Sequence, residues 1–123
     1  MSDEHIKLGK QGEVAAGLFY QLHGKTVLER NWKCRFGEVD IIALDGDCLV
    51  FCEVKTRKSL KSGAPEEQVS KDRQERYIRC AKHYCKSCDV EYERIRFDVI
   101  AVLVRDARSG DLRHIPNAFG EED

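Results

Sequence analysis

The segment from Gly37 to Arg57 constrains the fold more than any other part of this chain. Residues 38–44 and 48–55 are rich in β-branched and aromatic residues, which is typical of strands. The Asp-Gly-Asp sequence between them is typical of a hairpin turn. The segment therefore predicts an antiparallel hairpin, with strands Glu38–Leu44 and Cys48–Lys55 joined by a turn at residues 45–47.

The position of the turn in this hairpin determines how its two acidic strand residues, Asp40 and Glu53, lie relative to each other. If Asp45 and Gly46 form a two-residue turn, Asp40 lies opposite Phe51 and is a diagonal neighbour of Glu53. If the turn lies one residue further on, Asp40 is directly opposite Glu53. Only a three-residue loop without a compensating bulge separates the two carboxylates. With either two-residue turn, strict alternation places four side chains on one face: Asp40, Phe51, Glu53 and Lys55.

Two neighbouring carboxylates at the end of an apolar strand pair are unfavourable unless a cation compensates them. Buried like charges disfavour each other's ionisation and carry a large desolvation penalty. Mg²⁺ is commonly held by one or two carboxylates, so Asp40 and Glu53 are candidate ligands. The ammonium of Lys55 could orient a water or offset charge on a phosphate at the same place. The alternative, an exposed Glu–Lys pair, is disfavoured by the apolar neighbours Ile41, Ile42, Val50 and Phe51.

Five short motifs resemble those of a known bacterial family. They are Gly12-Glu13-x-x-Ala16, Arg30-Asn31-Trp32, Gly37-Glu38-Val39-Asp40, Phe51-Cys52-Glu53-Val54-Lys55-Thr56-Arg57 and Arg96-Phe97-Asp98-Val99. In this order they are similar to the YraN-like family of small uncharacterised bacterial proteins. That family resembles the archaeal Holliday-junction resolvases of the PD-(D/E)xK nuclease superfamily. The resemblance extends from about Lys10 to Phe119.

This resemblance implies a restriction-endonuclease-like fold and a metal-dependent nuclease site. Asp40 matches the first acidic residue of the superfamily motif, although valine replaces the proline before it, and Glu53-Val54-Lys55 matches (D/E)xK. Glu13 matches an acidic residue that resolvase-like members carry on a helix. The implied ligands of Mg²⁺ or Mn²⁺ are thus Asp40, Glu53, the Val54 carbonyl and Glu13. Lys55 is implied to position the attacking water.

The helical pattern of the sequence also suggests where the Glu13 side chain lies. It shares a stripe with Ala16, Gly17 and Tyr20 in a helix predicted for His5–Leu22. If this stripe covers the hairpin face, Glu13 becomes a third carboxylate beside Asp40. The alternative is an acidic residue that faces solvent.

The resemblance implies an endonuclease that acts on DNA, with branched or flapped DNA as the candidate substrates. The alternative is a nucleic-acid-binding or partner-binding module that keeps the fold but has little or no turnover. Resolution of a symmetric junction would require two sites and hence a homodimer.

Apolar periodicity along the chain predicts the element order αβββαββ. The remaining predicted elements are strand Val27–Trp32, a loop at residues 59–68, helix Val69–Cys88 capped by Ser70 or a neighbour, and strands Arg94–Val104 and Leu112–Ile115. Pro116 indicates that the last strand lies at a sheet edge. Strands that are apolar on both faces imply an α/β fold with a central mixed sheet flanked by helices.

Composition places the chain in a broad class. With 123 residues, 41% of them hydrophobic, it is expected to form one domain over residues 1–123. No apolar run approaches the roughly 20 residues of a membrane span, and the polar start does not resemble a signal peptide. A cytoplasmic protein without a membrane partner is expected, with its six cysteines reduced. The alternative for four residues is a soft-metal cluster: Cys80, His83, Cys85 and Cys88.

Positive charge is concentrated directly after the hairpin. The chain has a net charge of −1, but residues 54–88 contain ten Lys or Arg and four Asp or Glu, ten minus four giving +6. Such a patch favours a phosphate backbone, although many charge runs are solvated surface. The candidate nucleic-acid contacts are Arg57, Lys58, Arg73, Gln74, Arg76 and Arg79. Gln74 is included because a polar residue on this helix has such a role in resolvase-like nucleases.

Overall fold

Two helices and five strands follow the predicted order αβββαββ in the computed structural model, which describes residues 3–58, 69–106 and 108–120. They are α1 (Asp3–Leu22), β1 (Thr26–Cys34), β2 (Gly37–Asp45), β3 (Cys48–Arg57), α2 (Lys71–Ser87), β4 (Arg94–Val104) and β5 (Gly110–Phe119). The predicted α/β fold class is confirmed. The predicted loop at residues 59–68 lies outside the described residues.

The strands form one mixed sheet in the order β1-β2-β3-β4-β5. β3 and β4 are parallel, and the other neighbouring pairs are antiparallel. Parallel neighbours need a crossover connection, and α2 lies in the connection between β3 and β4. This arrangement is consistent with a restriction-endonuclease-like fold.

The outer strands extend further than predicted. β1 continues to Cys34 because its last residue still pairs with Gly37 of β2. β5 passes through Pro116 and ends at Phe119. A proline is tolerated there because β5 is an edge strand, where the missing N–H need not interrupt a ladder.

Each helix covers one face of the sheet. On the α1 side, Ala16 and Tyr20 pack against Ile41, Val50 and Cys52. On the α2 side, the cluster of buried side chains comprises Val39, Ile42, Leu49, Phe51, Tyr77, Cys80, Ala81, Tyr84 and Phe97. The sheet is thus buried on both faces, as its two-sided apolar pattern predicts. Among the described residues, no helix is long and apolar enough to cross a membrane.

The hairpin turn consists of Gly46 and Asp47. Asp45 pairs with Cys48, and the ladder continues to the pair Ile41–Cys52. Gly46 adopts φ 61°, a left-handed conformation that glycine accepts without steric cost. Of the two turns that the sequence allowed, the second is therefore present.

The strict alternation predicted for the hairpin holds in β3 but is interrupted in β2. Val39 belongs to the α2-side core and Ile41 to the α1-side core, although they are two residues apart. The interruption falls at Asp40. In β1, Asn31 lies between the partners of Ile41 and Val39 and has φ 50°. A local irregularity in both strands therefore changes which face of the sheet the side chains occupy, and it does so at Asp40, the first predicted acid.

Gly12 brings α1 unusually close to β3. A Cβ atom at this position would lie 1.8 Å from Thr56 Oγ1. Glycine is required because any side chain would push the helix away from the sheet. The close approach places the next residue, Glu13, above the end of β3.

Candidate functional site

A cavity of about 230 Å³ opens at the end of β3, between α1, β2 and α2. Its lining includes the five predicted catalytic or metal-binding residues and one arginine from α2: Glu13, Asp40, Glu53, Val54, Lys55 and Arg73. Three segments that are distant in sequence thus supply charged groups to one small volume. The cavity is the candidate site.

Glu53 is the most constrained side chain in the cavity, with 1% of its surface exposed. Tyr77 Oη donates to Glu53 Oε1 over 3.0 Å. The guanidinium of Arg73 donates to both carboxylate oxygens, from Nε to Oε2 and from Nη2 to Oε1. Burial opposes ionisation of Glu53, but hydrogen bonds from Arg73 and Asp40 outweigh it and lower the pKa of Glu53.

Asp40 shows the opposite behaviour. Its burial, followed by its hydrogen bond to Glu53 and the charge of that neighbour, raises the pKa of Asp40 well above its usual range. A hydrogen bond of 2.8 Å from the Val54 N–H to Asp40 Oδ2 counteracts part of this effect. The pair therefore favours a state in which Glu53 is ionised and Asp40 carries a proton.

Glu13 and Lys55 complete the charged lining. Glu13 is half-buried, and its negative charge contributes to the raised pKa of Asp40. Lys55 is also half-buried, with Nζ 4.0 Å from Glu53 Oε2. The structure thus brings both side chains to the carboxylate pair, as the sequence predicted.

Tyr77 was not among the predicted site residues, although it connects both strands to α2. Its hydroxyl accepts a hydrogen bond of 3.2 Å from the Asp40 N–H and donates to Glu53. Burial raises the pKa of Tyr77, so the hydroxyl remains a donor. The available signal in the sequence is weak: Arg73 and Tyr77 are four residues apart on a helix and therefore share a face.

Arg73 lies at the carboxylates instead of on an open surface. It was predicted as a nucleic-acid contact, but its guanidinium is engaged by Glu53. The hydroxyl of Ser70 accepts from the Arg73 N–H over 3.1 Å, which confirms the predicted cap and fixes the first turn of α2. The helix start therefore directs Arg73 into the cavity.

The other predicted nucleic-acid contacts do not line the carboxylate cavity and lie at several separate places. Gln74 Nε2 donates to the Val69 carbonyl over 3.0 Å and lines a separate cavity with Arg79, so the structure does not bring Gln74 to the carboxylates. Arg76 is exposed on α2 and approaches Gly37. The last two are Arg57, half-buried at the end of β3, and Lys58, exposed beside a groove along α1.

Within the described residues, no three His, Cys, Asp or Glu side chains converge closely enough to hold a metal ion. At the carboxylate pair, Glu53 faces Arg73 and Asp40 faces the Val54 N–H. The alternative cluster at the end of α2 is also not assembled. Cys80 instead contacts Cys34, and all six cysteines are free.

A second buried acid lies on the opposite face of the sheet. Asp98 has no exposed surface and accepts from Tyr20 Oη at 2.9 Å, the Arg96 guanidinium and the Asn117 N–H. His114 Nε2 lies 2.7 Å from Asp98 Oδ2. This cluster joins α1, β4 and β5 away from the cavity. In the sequence, Asp98 stood only within the Arg96-Phe97-Asp98-Val99 motif of the family resemblance, and no role was predicted for it.

Sequence comparisons identify a protein family and individual proteins to which this chain is similar. A family model described as "Uncharacterised protein family UPF0102" matches residues 12–102. A UPF0102 protein of Rhodococcus opacus is 37% identical over 115 residues, covering 94% of this chain and 98% of the relative. UPF0102 proteins of Dictyoglomus turgidum and Chlorobium phaeobacteroides are each 41% identical, covering 92% and 98% of this chain and 97% and 98% of the relatives.

Proposed function

Because this chain belongs to the uncharacterised protein family UPF0102, a name that specifies no chemistry, we propose a function from the site: a Mg²⁺-dependent nuclease-like protein that binds and cleaves DNA. The observation that carries the proposal is the buried carboxylate pair of Asp40 and Glu53, with Lys55 and Glu13 around the same cavity. Perturbed carboxyl groups in a cleft are typical of functional sites.

In chemical type, the groups that line the cavity suit a hard divalent cation, although no three acidic side chains of the described residues converge closely enough to hold one. Asp40, Glu53 and Glu13 offer carboxylate oxygens, and Val54 offers a backbone carbonyl, which are the ligand types that Mg²⁺ and Mn²⁺ prefer. The raised pKa of Asp40 reflects a local excess of negative charge that such a cation would relieve. When bound, the ion would offset the charge that develops on phosphate oxygens during hydrolysis.

Residues of the chain itself would supply position and charge. Lys55 has a half-buried ammonium near Glu53, where it would orient the attacking water or contact a phosphate oxygen. Tyr77 fixes the Glu53 carboxylate by a hydrogen bond and would limit its rotation. The exposed cations Arg76, Arg79 and Lys58 would hold the phosphate backbone.

The proposed substrate is DNA, branched or flapped. A symmetric four-way junction would require two copies of the site, and hence a homodimer on the substrate. A flap or a nick would require only one copy. Sedimentation of the protein with and without each DNA would separate these cases.

One observation favours a second candidate, a nucleic-acid-binding module with little or no turnover. The guanidinium of Arg73 already neutralises Glu53 through two hydrogen bonds. A site that never exchanges this arginine for a metal would keep the fold and bind nucleic acid without cutting it.

A cleavage panel tests the proposal. Linear, flapped, gapped and four-way DNA would be incubated with Mg²⁺ or Mn²⁺ and either wild type, Glu53→Gln, or Glu75→Gln, whose side chain is exposed on α2. We expect structure-dependent cleavage by wild type and Glu75→Gln and none by Glu53→Gln.

The Lys55→Ala variant distinguishes the proposed nuclease from the alternative, a nucleic-acid-binding module with little or no turnover. Lys55 acts mainly on the transition state in the proposed reaction, so this variant should lose cleavage but only a small part of its DNA affinity. Binding of all four DNAs by wild type without cleavage of any would favour the second candidate. Equal cleavage by wild type and Lys55→Ala would exclude this site as its source.

A further inference from the structure

Cys34 and Cys80 are in direct contact although they are far apart in sequence. Their Sγ atoms are 3.5 Å apart, and 46 positions separate them along the chain. Cys34 is the last residue of β1, whereas Cys80 lies in the middle of α2. The pair therefore joins the edge of the sheet to the helix that contributes to the cavity.

The geometry of this contact suits a covalent bond. A disulfide has sulfur atoms about 2 Å apart on Cβ atoms about 3.8 Å apart, so these sulfurs need to approach by only about 1.5 Å. Gly37 lies beside the pair without crowding it, since even a Cβ atom there would lie 3.9 Å from Cys80 Sγ.

The two thiols differ in accessibility. Cys34 is half-buried, whereas Cys80 has no exposed surface. An oxidant from solvent would therefore reach Cys34 first, with Cys80 as the adjacent second thiol.

The remaining cysteines have different surroundings. Cys48 and Cys52 are buried in the α1-side core. Cys88 Sγ is directed at the Cys85 carbonyl, 3.9 Å away. These four offer a built-in comparison for the Cys34–Cys80 pair.

We propose that Cys34 and Cys80 are a modification site, at which a hydroperoxide converts the two thiols to a reversible disulfide between β1 and α2. Cys34 sulfur attacks the distal peroxide oxygen, an S–O bond forms as the O–O bond breaks, and the released alkoxide or hydroxide takes a proton. Cys80 sulfur then attacks Cys34 sulfur and expels hydroxide, which takes the Cys80 proton and leaves as water. The two thiols supply the two electrons, and a dithiol reverses the change.

The environment of Cys80 affects the second step. Burial, followed by the hydrogen bond with Cys34, raises the pKa of Cys80 to about 12. Little thiolate is present, so the step depends on the two sulfurs being held in contact.

The disulfide would restrain the helix that carries two site residues. Cys80 lies one turn after Tyr77 and two turns after Arg73, and both of these bind Glu53. The proposal itself does not depend on the nuclease function, because it concerns only the thiols. A cross-link that closes a loop of this length raises Tm on the order of 10 °C in a chain of this size.

Thiol mapping of the whole protein tests the site. The native protein would be exposed to hydrogen peroxide, its free thiols blocked with iodoacetamide, and the digest analysed without reduction by mass spectrometry. We expect one intramolecular Cys34–Cys80 cross-link, a Tm higher by about 10 °C, and loss of both after dithiothreitol. Cys34→Ser should abolish both effects, whereas Cys88→Ser should retain them.

Other outcomes would overturn the proposal. These are full alkylation of Cys34 and Cys80 after peroxide treatment, a cross-link that forms only in denaturant, or an intramolecular bond between Cys85 and Cys88 in its place. Circular dichroism of Cys34→Ser checks that its loss of the effects is not caused by unfolding. Cys34 is half-buried at a strand end, so this substitution should preserve the fold.

Discussion

Replacement of Asp98 by asparagine should destabilise the protein in a pH-dependent way. Asp98 is fully buried and accepts hydrogen bonds from Tyr20, Arg96 and the Asn117 N–H, with His114 in contact. Burial alone would raise its pKa, but His114, Arg96 and the Asn117 N–H outweigh burial and lower the pKa to about 2. The ionised form therefore stabilises the native state.

The magnitude follows from this pKa. The model-compound value is 3.8, and the difference from about 2 corresponds to roughly 2 kcal/mol at about 1.36 kcal/mol per pKa unit. Because the pKa is lower in the folded than in the unfolded state, this contribution is complete above about pH 4. It decreases as the pH falls from about 4 through 2, and only well below pH 2 is Asp98 protonated in both states. The Asn side chain should also deprive Arg96 of one of its two carboxylate partners, the other being Asp45.

Urea unfolding at pH 7, 4 and 2.5 would measure the effect. We expect Asp98→Asn to be less stable than wild type by roughly 2–4 kcal/mol at pH 7, with a smaller difference at the lowest pH. Asp89→Asn is the matched control, since Asp89 is exposed. A difference between wild type and Asp98→Asn that is the same at all three pH values would refute the assignment of the stabilising charge to Asp98.

Three further predictions concern the cavity and its surroundings. Gly12→Ala should lower stability by about 1–3 kcal/mol in thermal melts, because the new methyl group would overlap Thr56; unchanged Tm would contradict the close packing. Arg73→Ala should lower the stability of the protein by roughly 1–2 kcal/mol without metal, and the partial exposure of Arg73 limits this loss. Mn²⁺ should stabilise the variant more than wild type, because no guanidinium competes for Glu53. Equal stabilisation by Mn²⁺ would count against that competition. Arg76→Gln should reduce the slope of log DNA affinity against log salt by about 0.9, and an unchanged slope would place Arg76 outside the DNA interface.

The sequence was sufficient for those features that depend on local patterns. The two-sided apolar run of β3 predicted a strand that is buried on both faces, and Leu49 to Cys52 are fully buried. Asp40 and Glu53 could be paired because a short turn limits the hairpin to a few registers. The choice between the two turns could not be made, since Asp-Gly and Gly-Asp both suit a tight turn.

The sequence alone could not predict contacts between segments that are far apart along the chain. Arg73 resembled every other cation in a basic helix, and only the placement of α2 over β3 shows that it binds Glu53. Tyr77 resembled an ordinary core aromatic residue until its hydroxyl was found between two strands. The extent of β5 beyond Pro116 likewise depends on its position at the sheet edge.

Because α1 packs closely against the sheet, residues can be inserted into it or deleted from it only at certain positions. Gly12 sits against Thr56 of β3 and Gly17 against the guanidinium end of Arg30 from β1, and the contact at Gly12 is the more restrictive because a guanidinium end can move aside. One inserted residue turns everything beyond it by about 100°, because a helical turn contains about 3.6 residues. An insertion between these glycines would place a side chain where none fits. Insertions and deletions should therefore be accepted before Gly12 and rejected between the two glycines.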